Sequence, residues 1–149
     1  PNLKKVFAYQ RSSKDKEYRE KRLQGKWSWG FGGHIEPSDR KNGNPIKDSM
    51  LREVTKEEIE INGEILSMEV LGYINDDSGN STNVGQVHFG ILYLLNTNAE
   101  IVKPKDPEIA LIEAKKINEL ENMCLSPEYD VETWSKIALE PLRNYFNKT

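Results

Sequence analysis

Three glycines in four positions, Gly30, Gly32 and Gly33 of "WGFGGHIEPSD" (29–39), limit what this stretch can become. Each glycine loses more backbone freedom on folding than any other residue, so the cluster is disfavoured inside a helix or a strand. It suits a tight turn, or a backbone that must come very close to something else. His34, Glu36 and Asp39 follow at once. Acids beside a bare backbone point to a partner that brings cations.

The flanks tell what holds this loop. "LKKVFAYQRS" (3–12) and "KWSW" read as strands, with a charged connection between them. From about Ile46 to Glu60 there is no Gly or Pro, and good helix formers predict a helix. "EILSMEVLGYI" (64–74) and "QVHFGILYLL" (86–95) are β-rich and expected to pair across the loop "NDDSGNSTNVG". "EIALIEAKKI" (108–117) predicts another strand. Val131, Trp134, Ile137, Ala138, Leu142 and Tyr145 fall at helical spacing and predict a closing amphipathic helix. Strands on both sides of a buried helix imply an α+β fold, a mixed β-sheet covered on both faces.

The 149 residues suffice for one domain with a real core, and no linker or repeat divides them. A net charge of -3 gives no general attraction to nucleic acid or to anionic membrane. The longest apolar run, "ILYLL", is too short to span a bilayer, and no secretory signal opens the chain. One cysteine, Cys124, excludes a disulfide framework and suggests a reducing, cytoplasmic setting. Two histidines and one cysteine are too few for an ordinary zinc site.

Beyond the loop comes "REV", Arg52-Glu53-Val54, and then Glu57 and Glu58. Carboxylates at i and i+4 share one helix face, as Glu53 and Glu57 would. Two such acids repel, and a hard divalent cation relieves the repulsion. Arg52 can orient a neighbouring carboxylate, while glycines let backbone approach metal and phosphate. Glutamate-rich helices also serve as plain solvated faces; the loop and Arg52 favour a site here.

Together, "GGHIEP", Asp39 and "REV…EE" resemble the Nudix signature G-x(5)-E-x(7)-R-E-U-x-E-E-x-G-U, U being a bulky aliphatic. The wider stretches "GKWSWGFGGHIEP", "LGYINDDS" and "VGQVHFGILY" resemble a MutT-like branch described as predicted phosphoesterases. The resemblance runs from about Val6 to Leu95. It implies a Nudix-like α/β/α sandwich and a phosphoanhydride hydrolase acting on a nucleoside diphosphate linked to another moiety. It implies Mg²⁺ or Mn²⁺ as cofactor, Glu53, Glu57 and Glu58 as metal ligands, and Glu53, Glu57 and Arg52 as the catalytic set. Gly32, Gly33, His34, Glu36 and Asp39 would contact substrate. A Nudix sheet starts with a strand before the one at 3–12, so residues 1–149 are read as one such domain cut short at its N-terminus. The sequence is silent on oligomeric state, and a homodimer stays open.

There are departures. Twelve residues separate Asp39 from Arg52 instead of seven, with "RKNGNP" (40–45) as an exposed excursion in which Gly43 and Pro45 oppose helix. Asp39 replaces a Glu, and Glu60 a Gly. Without a gap, Lys56 replaces a ligand and Glu58 falls where an apolar residue belongs. With one residue inserted after Val54, "EEIEI" matches "E-E-x-G-U". The second register is favoured because it buries Ile59 and keeps Glu58 out of the core. It predicts a π-bulge near Thr55 and Lys56, the usual way a helix absorbs an extra residue. In a regular helix Glu58 would point about 140° away from Glu53.

Other residues allow two readings. His34 can contact phosphate or face solvent, and His88 suits a hydrogen-bonded core position better than a substrate contact. Asp76 and Asp77 could add a ligand or simply form a turn. The basic run Lys14, Lys16, Arg19, Lys21, Arg22 fits a solvated connection better than an electrostatic funnel. Trp27 and Trp29 fit packing better than base stacking. Two alternatives to hydrolysis remain: a Nudix-like ligand sensor with a degraded site, and an isopentenyl-diphosphate isomerase-like enzyme. The isomerase needs a cysteine near the glycine loop, and none lies there.

Overall fold

A computed structural model describes residues 4–14, 21–75 and 88–149. Strand β1 (Val6–Arg11) pairs antiparallel with β2 (Trp27–Ser28) on one side. On its other side it pairs antiparallel with β7 (Ile109–Lys115). β3 (Ile59–Ile61) pairs with β6 (Val102–Pro104), and β4 (Ile65–Asn75) with β5 (Phe89–Thr97), all antiparallel. Among the described residues an isolated bridge from Trp27 to Val131 adds a parallel contact. Among the described residues the α-helices are α1 (Pro45–Leu51), α2 (Ile117–Leu125) and α3 (Thr133–Lys148). A π-helical segment, Arg52–Glu58, continues α1. The expected α+β class holds.

β1 shows how the layers form. Its side chains alternate between faces, yet Ala8 and Tyr9 are both sealed from solvent. Ala8 packs in a cluster with Leu120 and Met123 of α2 and Ala138 and Leu142 of α3. Tyr9 belongs to a second cluster with Val54, Ile59, Val102 and Ile109. Helices therefore cover one face, and the segment bearing Glu53 to Glu58 covers the other. A cavity of about 900 Å³ adjoins this second layer, with Phe7, Phe31, Val54, Tyr93 and Leu95 among its walls.

Most expected elements are present, with two corrections. The helix expected to reach Glu60 ends at Glu58, and Ile59 and Ile61, both β-branched, join a strand. The second correction is α2, which the sequence reading missed: it follows β7 directly, where a strand was expected to run to Ile117. Residues 40–45 do interrupt the helix: a 3₁₀ turn spans Pro37–Asn42, Gly43 has φ +84°, and α1 starts at Pro45. The excursion is exposed, although its first half is this turn rather than open loop.

Candidate active site

The glycine loop is fastened to the core at its near end. The Tyr9 hydroxyl donates to the Gly30 carbonyl at 3.0 Å. The Trp29 N–H donates to Ser135 Oγ of α3 at 3.0 Å, and Ser135 Oγ lies 2.9 Å from Ser28 Oγ. Past this anchor Gly32 takes φ +151°, a conformation side-chain-bearing residues avoid. At Gly33 the reason for glycine is contact: a Cβ there would lie 2.3 Å from the Glu53 carboxyl carbon. The loop is bare because a carboxylate rests on it.

The π segment brings the third acid round. The Ile59 N–H donates to the Val54 carbonyl, five residues back. Thr55 Oγ1 donates to the Leu51 carbonyl at 2.7 Å, a side-chain bond that helps open the ladder. Lys105 Nζ donates to the Thr55 carbonyl at 2.7 Å, and the backbone N–H groups of Lys105 and Asp106 reach the Glu58 carbonyl at 2.8 and 3.2 Å. These donors satisfy carbonyls near the end of the segment. In the bulged register, Glu58 returns to the loop, where the Gly32 backbone hydrogen-bonds its carboxylate. Deleting Lys56, an exposed residue, would place Glu58 four positions after Glu53. The variant should form a regular α-helix with Glu58 still against Gly32; a crystal structure with Glu58 turned to solvent would disprove that the bulge is an absorbed insertion.

Arg52 is the hub. Its Nε and Nη2 donate to Asp39 Oδ1 and Oδ2 at 2.9 and 3.1 Å, a bidentate pair. Nη2 also reaches the His34 carbonyl at 2.9 Å, and Nη1 reaches Glu53 Oε1 at 3.0 Å and Glu57 Oε1 at 2.7 Å. Asp39, expected at the substrate, is 5% exposed and accepts from the Glu36 N–H at 2.7 Å as well. It positions Arg52 from behind. The bonds from Arg52, and then from Glu36, hold its carboxyl below the usual carboxylate range. Glu36, Gly32, Gly33 and His34 are exposed on the loop.

Glu53 and Glu58 are both pushed up by burial. For Glu53 the Arg52 bond opposes this rise, and the charges of Glu57 and Glu36 reinforce it. Glu58 rises to about 8; Arg11 and the Gly32 bond oppose the rise, and Glu53 and Asp106 add to it. A raised carboxyl pKa favours the protonated folded protein, so this contribution is full below the ordinary glutamate value and disappears as pH climbs towards 8. Without added divalent cation, Glu58→Gln should flatten the decline of stability over that interval. It should also be the more stable form above pH 8, as denaturation midpoints across pH would show. Parallel profiles for both proteins would contradict the burial of a titrating Glu58.

The donors suit a hard cation. Glu58 Oε2 is buried with no hydrogen-bond partner, and Glu53 and Glu58 both meet a glycine backbone with no side chains in the way. Among the described residues no three acids, histidines or cysteines converge tightly enough to close round an ion as they stand. Arg52, bonded to both Glu53 and Glu57, holds these two by a guanidinium.

Sequence reasoning missed Arg11, Lys105, Asp106 and Tyr9, whose role depends on contacts between distant segments. His88, half-buried, does not sit in the core alone: its Nε2 lies 3.1 Å from His34 Nε2. Cys124 packs against the helix-side core and has its thiol pushed up by burial. Asp76, Asp77, Lys16 and Arg19 lie outside the described residues. No helix among the described residues is long and apolar enough to cross a membrane.

No family profile matches the chain. It is 34% identical over 141 residues to protein YmaB of Bacillus subtilis (strain 168). That alignment takes in 92% of this chain and 64% of YmaB, so the chain spans just under two thirds of that relative. It also superposes on the crystal structure of Tm1382, a protein provisionally assigned as a Nudix hydrolase, with a TM-score of 0.59 and 32% identity. This match covers 79% of the chain and 59% of Tm1382. The layered α+β architecture, with its glycine loop set against an acidic helix, is a Nudix-like fold.

Proposed function

We propose that this chain is a Nudix hydrolase that uses a divalent metal to cleave a phosphoanhydride, in a nucleoside diphosphate linked to a further moiety. The observation that carries this reading is the π turn. It returns Glu58, with a buried and unpartnered oxygen, to the same glycine loop on which Glu53 rests. Glu53, Glu57 and Glu58 would hold Mg²⁺ or Mn²⁺, which when bound offsets phosphate charge and polarises water. Gly32 and Gly33 leave the backbone open to a diphosphate. Arg52, braced by Asp39, keeps Glu53 and Glu57 in orientation. A carboxylate of this set takes the proton of the attacking water.

A phosphate-release screen over nucleotide substrates, with and without Mg²⁺, tests the proposal. Activity should need the cation, and Glu57→Gln, which keeps shape but removes charge, should lower kcat by about 10²–10³-fold. Full turnover in excess EDTA would sink it. The grip of Arg52 on both Glu53 and Glu57 favours one other reading, a Nudix-like binding domain without turnover. That domain would bind nucleotides but release no phosphate from any of them.

A further inference from the structure

The only two histidines of the chain, 54 residues apart in sequence, meet with Nε2 atoms 3.1 Å apart. Their ring centroids are 5.3 Å apart, with the planes inclined at 49°. Two histidines are too few for a closed structural zinc site, but a labile site needs fewer protein ligands. Zinc and its neighbours bind imidazole nitrogen at about 2.0–2.1 Å, so two nitrogens 3.1 Å apart subtend an angle of about 100° at one ion. That angle lies between octahedral and tetrahedral values. We infer that His34 and His88 form a two-imidazole clamp for a borderline divalent cation such as Zn²⁺, separate in donor type from the glutamates, with its other positions open to water or an anionic oxygen.

The clamp joins different parts of the fold. His34 belongs to the glycine loop, and its carbonyl is already held by Arg52 Nη2 at 2.9 Å and by Ser49 Oγ at 3.2 Å. His88 immediately precedes β5, and its ring stands edge-on to Trp134 of α3, 6.5 Å between centroids. One hydrogen bond between the rings is lost on binding. The ring that carries its proton on Nε2 must carry it on Nδ1 instead, so the neutral pair releases no proton. A bound ion would tie the loop that supports Glu53 to β5 and α3. The sequence chemistry favours imidazole-seeking metals here, because Mg²⁺ prefers oxygen and keeps much of its water.

This inference does not depend on the hydrolase reading. The test is Zn²⁺ calorimetry on the 149-residue protein in excess Mg²⁺, which occupies oxygen sites. Wild type should bind one Zn²⁺ per chain and gain thermal stability with added Zn²⁺. His34→Ala and His88→Ala should each weaken binding by about tenfold or more, while Glu57→Gln leaves it unchanged. His34 is exposed, so its alanine variant should fold as wild type does, and circular dichroism checks both. No Zn²⁺ binding beyond the Mg²⁺ background would overturn the assignment, as would binding unaffected by either histidine change or abolished by Glu57→Gln.

Discussion

Tyr9→Ala should destabilise the protein by about 3–5 kcal/mol, the range for removing a large buried ring. Tyr9 is 1% exposed and belongs to the cluster under the π segment. Its ring stacks on Phe31 of the glycine loop with centroids 4.6 Å apart, and its hydroxyl bonds the Gly30 carbonyl. Arg11 lies over the same ring, 5.3 Å from its centroid. Burial pushes the phenol far above its ordinary pKa, so it stays a neutral donor. Tyr9→Phe removes only the hydroxyl and should cost about 1 kcal/mol. The two variants divide packing from hydrogen bonding, and urea denaturation measures both. Should Tyr9→Ala cost no more than a surface substitution, the loop would not be moored through this residue.

The parts of the site legible in sequence are those set by local spacing. Glycines at 30, 32 and 33, and the order Arg52, Glu53, Glu57, Glu58, fix a loop and an acidic helix before any tertiary contact is known. Even the bulge was legible, because one extra residue between Val54 and the glutamate pair has few ways to be absorbed. What stayed hidden depends on distant segments meeting. Ile59 and Glu60 still belong to the run without Gly or Pro, but pairing with Val102–Pro104 across the fold makes Ile59–Ile61 a strand. Asp39 looks like a loop acid until Arg52 folds over it, thirteen residues on. His88 in an apolar strand gives no hint of His34. α2 did leave a signal: Glu119 bonds the Lys116 N–H at 2.7 Å, the back-bond of a helix start, and Ile117, Leu120 and Cys124 follow helical spacing. The strand before it masked that signal.

Gly33→Ala should separate folding from catalysis more cleanly than any change to an acid. Gly33 has no positive φ, so alanine is compatible with the backbone there. The added Cβ would lie 2.3 Å from both the Glu53 carboxyl carbon and Oε1, and 2.6 Å from Oε2. All three atoms are the tip of a flexible side chain, so the cheapest relief is for Glu53 to swing away. It would then leave the loop and strain its 3.0 Å bond to Arg52 Nη1, while Asp39 keeps its own grip on the guanidinium. Global stability should change by less than about 1 kcal/mol, since no core contact is lost. On the proposed hydrolase reading, turnover should fall by about 10³-fold, because a carboxylate displaced by an ångström or more would no longer meet the cation or the phosphate. Gly30→Ala is the control: nothing lies within 4 Å of a Cβ at that position, and the effect should be small. Equal activity in Gly33→Ala and wild type would show that Glu53 works from somewhere other than this loop.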